Sequence, residues 1–285
     1  YISIRLIKKP GFGQKRISWF YLGVAMGIGV LLRQVFMLML PFVMVWLIWA
    51  VFRQEKKIPV LRLILPVLVV IAMILPFTIY NNMRFEQTVL LNTNSGYAFF
   101  WGNHPYYGTD FIPILPSEVY VDLIPDDLLH LDEAALDSAL MDIAMQNIMD
   151  DPGRYLLLSI GRIPEFFKFW PSPDSSRISN YSRVLSFGIF WPFMLAGMIA
   201  SLFSIRKKFA DFLVSPIVLL LLFIGAYSGA HILTWTLIRY RLPIDAVALI
   251  FAGYIFAEID HRWLHIDHRF FQIEEQPVAS EDTAQ

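Results

Sequence analysis

Residues 17–32 (ISWFYLGVAMGIGVLL) and 35–52 (VFMLMLPFVMVWLIWAVF) carry no charged side chain, and only Arg33 and Gln34 separate them. One helix over both stretches would be about 54 Å long at 1.5 Å per residue. The hydrocarbon core of a bilayer is only roughly 30 Å thick. The pattern therefore predicts two membrane spans with Arg33 near the turn between them.

The whole chain shares this apolar character. Of its 285 residues, 56% are hydrophobic and 16% are charged, and the mean hydropathy is +0.54. A soluble domain of this length needs a largely solvated surface and has no use for so much apolar area. The composition predicts an integral membrane protein. There is no cysteine, which excludes disulfides and thiolate metal sites.

Further apolar runs divide the chain into four regions. These runs are residues 63–83, 184–205, 212–238 and 242–257, the last of which contains Asp245. Together with the first two they predict a mainly α, polytopic membrane protein with about six transmembrane helices and one α-rich, partly irregular insertion outside the membrane. The predicted regions are a membrane part (1–80), an outer block (81–183), a second membrane part (184–258) and a polar, disordered tail (259–285).

The charges of the connecting segments orient these spans. Residues 1–16, 53–57 and 206–208 are basic, and six spans place all three on one face together with the tail. The outer block carries 14 acidic against 6 basic side chains. By the positive-inside rule the basic segments face the cytoplasm. We therefore expect a protein of the bacterial cytoplasmic membrane, with residues 81–183 on the extracytoplasmic side.

Two helices are predicted in the second half of the outer block. Asp132 is a plausible N-cap for a helix to about Asp150, which has an apolar face that we expect to pack inward. Asp151 and Pro152 form a second helix start, followed by a very apolar segment to Trp170 that we expect to lie in the membrane interface. The first half of the block, rich in Asn, Gly and Pro, is typical of irregular structure with short strands, such as residues 88–92.

Three arginines at span ends are candidate ligands for the phosphate of a lipid carrier. Arg239 and Arg241 flank Tyr240 at the mouth of the last span, and Arg33 lies at the outer end of the first pair of spans. Guanidinium groups bind phosphate oxygens bidentately. The alternative is that these arginines are snorkelling anchors for ordinary phospholipid.

Two further stretches are candidates for substrate binding. Residues 92–104 (NTNSGYAFFWGNH) combine aromatic rings, which stack on sugars, with amides, which bond to hydroxyls; the alternative is packing of an ordered loop. A second group lies where the third span ends, and its alternative is a capping role. The candidates in these two stretches are Tyr97, Trp101, Asn103, His104, Asn81 and Arg84, to which Tyr240 is added.

Motifs of soluble enzymes are missing from the sequence. It contains no phosphate loop, no dinucleotide-binding glycine pattern and no nucleophile elbow. Its six histidines do not form a metal-ligand set. We expect no metal, no cofactor and no nucleic-acid partner.

Taken in order, several stretches resemble the C-terminal half of the bacterial GT-C glycosyltransferases of family 39, the protein-mannosyltransferase-like and aminoarabinose-transferase-like enzymes. The resemblance covers most of residues 20–258. The stretches that carry it are GIGVLLRQ (27–34), NSGY (94–97), WGN (101–103), DPGRY (151–155) and RYRLPID (239–245).

This resemblance implies transfer of a sugar from a polyprenyl-phosphate carrier to an acceptor on the outer face, with inversion at the anomeric carbon. In the family an acidic residue of the first outer loop acts as the base, and that loop would precede residue 1. The resemblance thus implies a C-terminal portion whose donor is a polyprenyl-phosphate-linked sugar and which holds no catalytic residue. The competing hypothesis is a noncatalytic scaffold, or a half-transporter with a solute-binding outer block.

Overall fold

The computed structural model describes residues 1–173, 175–204 and 212–261, and all regular structure within these ranges is helical. The α-helices are α1 (Ile2–Lys8), α2 (Pro10–Gly13), α3 (Arg16–Leu32), α4 (Leu40–Glu55), α5 (Val60–Phe85), α6 (Ser95–Asn103), α7 (Ser117–Asp122), α8 (Glu133–Asp150), α9 (Pro152–Phe166), α10 (Arg177–Arg183), α11 (Ile189–Ser204), α12 (Pro216–Leu233) and α13 (Leu242–Ile259). Short 3₁₀ helices cover Gln34–Met39, Pro105–Tyr107, Asp126–Leu128 and Ile238–Arg241, and a π-helix covers Val184–Gly188.

Five helical stretches of the described chain are long and apolar enough to cross a membrane. They are Gln34–Glu55, Val60–Phe85, Arg177–Phe203, Pro216–Leu233 and Ile238–Ile259. Helix α3 is apolar as well but has 17 residues, about 25 Å of helix. The prediction of a mainly α, polytopic membrane protein is confirmed. The basic segment 206–208 and residues 262–285 of the predicted tail lie outside the described residues.

Close helix pairs in the membrane parts depend on small residues. A Cβ at Gly23 would lie 2.8 Å from the Cα of Pro66, and one at Gly27 would lie 2.4 Å from the sulfur of Met73, so α3 packs directly on α5. A Cβ at Gly197 would overlap the backbone of Phe251 in the same way, which brings α11 onto α13. Lipid supplies no hydrophobic force between membrane helices, so their association depends on close packing. Small residues make that close approach possible.

The two helices predicted in the outer block are confirmed. Asp132 caps α8, because its Oδ1 accepts hydrogen bonds from the backbone N–H groups of Ala134 and Ala135, both at 2.9 Å. Asp151 caps α9 by accepting from the N–H of Arg154 at 2.9 Å. The inward face of α8 packs on α6, with Leu140 fully buried in that core.

The predicted strand at residues 88–92 is wrong. The carbonyls of this segment bond to side chains of α5: Thr78 Oγ1 donates to Leu90 at 2.8 Å, and Asn81 Nδ2 donates to Leu91 at 3.0 Å and to Val89 at 3.4 Å. The segment therefore bends along the end of α5 and forms no strand. Three other boundaries also differ from expectation: residues 95–103 are helical, α9 ends at Phe166, and α12 ends at Leu233.

Candidate functional site

Arg241 is held inside the protein at the start of the last span. Its Nε lies 2.9 and 3.2 Å from the two carboxylate oxygens of Asp245, one helical turn further on. Its Nη1 donates to the carbonyls of Phe166 (3.0 Å) and Lys168 (3.1 Å). The guanidinium carbon lies 3.3 Å from the ring centre of Phe187, in the π-helix. Within the described chain only Nη2 makes no hydrogen bond, so Arg241 has one nitrogen left for a ligand.

Arg33 and Arg239 both lie on the ring of Tyr240. Their guanidinium carbons are 4.8 Å and 5.6 Å from its centre. Arg239 is exposed and Arg33 is half-buried. Neither guanidinium donates a hydrogen bond to any residue that the structure describes. Two cations from different parts of the sequence thus meet at one aromatic ring with their donors unused, an arrangement suited to an anion with several acceptor oxygens.

A stack of rings supports Tyr240 from below. His231 of α12 lies against it with ring centres 4.7 Å apart and planes at 26°, and Tyr227, one turn earlier, meets His231 at 5.0 Å. Both are buried, and the Tyr227 hydroxyl and His231 Nε2 have no hydrogen-bond partner among the described residues. The stack fixes the position of Tyr240, and so the place where the two arginines meet.

Four aromatic side chains form a second group, which we call the aromatic platform. It consists of Tyr97, Trp101, Tyr120 and Trp235. Trp101 is central, with ring centres 5.2 Å from both Tyr97 and Tyr120 and 6.0 Å from Trp235. All four are half-buried. Burial, and then the carboxylates of Asp137 and Glu133, raise the pKa of Tyr97, so its hydroxyl stays neutral and able to donate a hydrogen bond.

The platform helix α6 is held at each end by side chains whose charge is opposite to that end of the helix dipole. At its N-terminus Asp137 of α8 accepts from the N–H of Tyr97 at 3.0 Å and from Ser95 Oγ at 3.4 Å. At its C-terminus two arginines of α9 donate to the last carbonyls. Anions at the N-terminus and cations at the C-terminus both stabilise a helix dipole. Helices α8 and α9 therefore fix opposite ends of α6.

Arg162 is the more deeply placed of these two arginines and is fully buried. It donates to the carbonyl of Gly102, to Asn103 Oδ1 at 2.8 Å and to the carbonyl of Ile232 at 3.1 Å. Burial lowers the pKa of Arg162 to about 10, and the side chain remains charged near neutral pH. Arg162 thereby joins the outer block to the end of α12.

Arg154 completes this cap from the first turn of α9. Its Nη2 donates to Asn103 O at 3.1 Å, and its Nη1 to His104 O at 3.3 Å. His104 Nδ1 accepts from the N–H of Tyr106 at 3.1 Å. Burial, and then the charge of Arg154, lower the pKa of His104. In this structure Asn103 and His104 hold the end of α6 in place behind the platform.

Asn81 and Arg84 lie apart from both groups. Asn81 bonds to residues 89 and 91, and Arg84 is exposed with its guanidinium 4.8 Å from the ring of Phe85. Within the part of the chain that the structure describes, no hydrogen bond or ring contact joins either residue to the platform or to Tyr240. The sequence had suggested one set of substrate-binding residues. In the structure these residues fall into two groups, one at the platform and one at Tyr240, and Asn81 and Arg84 belong to neither.

The arginine turn (Ile238–Arg241) nevertheless lies near the platform. A Cβ at Gly102 would lie 2.2 Å from the carbonyl of Thr234, so α6 presses on the segment that leads from α12 into the turn. Trp235 is four residues from Arg239, which limits their Cα atoms to about 14 Å. Tyr120, Trp235 and Arg162 were not singled out from the sequence. The sequence did contain an indication of the role of Arg162, because the spacing of Arg154 and Arg162 places them on one side of a helix.

The described residues contain no group of three His, Asp or Glu side chains that could hold a metal ion. No family model, curated protein or solved structure matches this chain.

Proposed function

We propose that this chain is the C-terminal portion of a membrane glycosyltransferase, which moves a sugar from a polyprenyl-phosphate carrier to an acceptor on the outer face. Outer here means the side of the membrane next to residues 81–183. The observation that carries the proposal is the convergence of Arg33 and Arg239, with unused donors, on Tyr240 at the outer ends of the spans. The carrier phosphate is the anion that we assign to them.

The chemistry of the transfer explains why cations belong there. The bond between the anomeric carbon and a phosphate oxygen breaks, and the acceptor atom bonds to the same carbon while losing a proton to a base. The carrier leaves as a phosphate monoester, so its charge goes from one negative charge to nearly two. Fixed guanidinium groups at the leaving oxygen stabilise this developing charge. The base is assigned to a part of the enzyme outside this sequence.

Arg241 and the platform have separate roles in this proposal. Arg241 holds the arginine turn against α9 and Asp245 and offers Nη2 to the phosphate. The half-buried platform, near the turn, receives the sugar or a sugar acceptor, because aromatic faces stack on the apolar face of a sugar.

Binding of undecaprenyl phosphate to the purified chain tests the proposal. Native mass spectrometry in detergent compares this lipid with undecaprenol, which has the same tail and no phosphate. Loss of a charge-assisted contact costs roughly 1.5–3 kcal/mol, so we expect Arg33→Gln and Arg239→Gln each to weaken phosphate binding at least about 10-fold. Lysine at either position should restore part of the affinity, since it keeps the charge and loses the fork.

Arg177→Gln is the matched control. Arg177 is an exposed arginine at the start of the third long apolar stretch (Arg177–Phe203) and contacts neither Tyr240 nor the platform. Its replacement should leave binding unchanged, and undecaprenol should bind equally weakly to all variants. Equal binding of the two lipids, or an equal loss in all three glutamine variants, would contradict a phosphate site at Tyr240.

A further inference from the structure

Helix α9 has its polarity reversed relative to a helix on the surface of a soluble domain. Its buried face carries the charged Arg162 and the polar Ser159 beside Leu158 and Phe166. Its exposed residues are all uncharged. They are Pro152, Gly153, Leu156, Leu157, Ile160, Ile163 and Pro164. In water this arrangement would bury a charge and expose four large apolar side chains, which is unfavourable on both counts.

We infer that α9 lies in the outer surface of the bilayer, with Leu156, Leu157, Ile160 and Ile163 inserted among the lipid chains. These four residues, called here the apolar stripe, are 43–60% exposed in the protein. Their spacing of one, three and three residues places them on one side of a helix. Lipid is the partner that matches an uncharged helix face of this width.

The packing of α9 on α12 supports a lipid partner over a protein one. Three residues of α9 reach the last turn of α12: Tyr155 donates its hydroxyl hydrogen to Leu233 O at 3.1 Å, Arg162 donates to Ile232 O, and the ring of Phe166 lies 6.1 Å from that of His231. Residues 155 and 166 are about 16 Å apart along α9, whereas residues 231 and 233 are about 3 Å apart along α12.

Contacts so spread on one helix and so concentrated on the other require the two helices to cross steeply. Because α12 is among the helices suited to crossing the membrane, a steep crossing directs α9 along the membrane plane. The junction lies at the end of α12, where its lipid-facing surface ends. The apolar stripe therefore continues the lipid-facing surface of the spans.

This placement gives the arginines of α9 a role that differs from snorkelling. Arg154 and Arg162 point into the protein and cap α6. The helix thus rests on lipid on one side and supports the platform helix on the other. The platform is then held within roughly one helix diameter, about 10 Å, of the membrane surface.

Quenching of a fluorophore at single cysteines tests the inference, and the natural absence of cysteine makes the labelling clean. Leu157→Cys and Ile160→Cys label the stripe, and Gln146→Cys labels the exposed face of α8 as the matched control. Each variant of the 285-residue chain carries the fluorophore NBD in vesicles of phosphatidylcholine and phosphatidylglycerol in equal amounts. Quenching by doxyl-labelled lipid is compared with quenching by aqueous iodide.

We expect doxyl lipid to quench positions 157 and 160 several-fold more than position 146, and iodide to give the reverse order. Iodide quenching at 157 and 160 equal to that at 146 would show a stripe in water and overturn the inference. Protection of both positions from both quenchers would show a protein partner and overturn it as well. All labelled sites are exposed in the protein, so labelling leaves its packing intact.

Discussion

Helices α8 and α9 follow one another with only Asp151 between them, yet they are built in opposite ways. Each begins at an aspartate cap, and each fixes one end of α6. Helix α8 buries Leu140 and exposes acidic and polar side chains, such as Asp142 and Gln146. Helix α9 buries an arginine and exposes leucine and isoleucine. The same block of chain thus contains one helix suited to water and one suited to lipid.

Apolar content alone therefore does not decide whether a helix faces water or lipid. What distinguishes the two is which residues face the protein and which face outward. A buried guanidinium is tolerated in α9 because four acceptors surround it. The outward leucines are tolerated because they need not meet water. Substitutions on the inward and outward faces of the two helices test whether their faces differ in this way.

The largest effect is expected for Leu140→Asp in α8. Leu140 is fully buried, and an unpaired carboxylate in its place should lower the free energy of unfolding by about 4 kcal/mol. Leu157→Asp in α9 should lower this free energy clearly less, because the side chain points away from the protein and a carboxylate at the detergent surface can still reach water. Urea unfolding followed by tryptophan fluorescence measures both. Equal losses in the two variants would show that α9 faces a protein core.

Arg162→Met should have the next largest effect. It leaves the carbonyls of Gly102 and Ile232 and the Asn103 amide oxygen without their donor, at a cost of about 3 kcal/mol. The exposed Arg177, replaced by Met as a control, should change stability by less than about 0.5 kcal/mol. Unfolding in detergent, with resistance of the outer block to protease as a second readout, compares the two. A tolerated Arg162→Met would mean that α6 needs no cap from α9.

Removal of either aspartate cap should lower the free energy of unfolding by a smaller amount, and by the same amount for the two helices. Asp132→Ala and Asp151→Ala each delete the side-chain acceptor at a helix start, at about 1 kcal/mol each. Asparagine at the same positions should recover most of the stability, since it also caps well. The same unfolding assay applies. A loss at one helix alone would show that the two caps, unlike the two faces, are not equivalent.

The smallest effect concerns pH. The pKa of His104 in the folded protein is lowered from 6.5 by burial and by Arg154, so the unfolded chain binds a proton more readily. Stability should therefore be fully present above pH 6.5 and decline as pH falls through the lowered pKa. The exposed His130, replaced by Ala, is the control and should keep the decline. His104→Ala should be less stable than the unsubstituted protein at neutral pH. Its stability should also lack the part of the decline at low pH that His104 contributes.

Features that depend on neighbouring residues, such as helix caps and buried helix faces, could be predicted from the sequence. Contacts between distant segments could not. The caps at Asp132 and Asp151 depend on residues two or three positions away, and the burial of Leu140 follows from a period of 3.6. The role of Arg162 depends on carbonyls 60 and 70 residues away, which periodicity does not reveal. The helix at 95–103 was missed because its stability comes from Asp137 and the two arginines.

The arginine turn shows the same limit. Arg239, Tyr240 and Arg241 were singled out as a set, and the sequence left the backbone of this segment open. In an extended segment the two arginines would share a side, whereas on a helix they would diverge by about 200°. The structure has a 3₁₀ helix here. Tertiary packing separates them, turning Arg241 inward to Phe166 and Asp245. The Arg241–Asp245 spacing of four residues was a readable signal of a pair within one helix.

We propose that residues 81–183 lie on one side of the membrane and the basic segments 1–16 and 53–57 on the other. Single cysteines at Asp126, in the outer block, and at Lys57, in the loop between α4 and α5, test it most directly with a membrane-impermeant maleimide. Both positions are exposed. In intact cells or right-side-out vesicles, Asp126→Cys should be labelled at once and Lys57→Cys only after permeabilisation. Labelling of both from the same side would contradict the account.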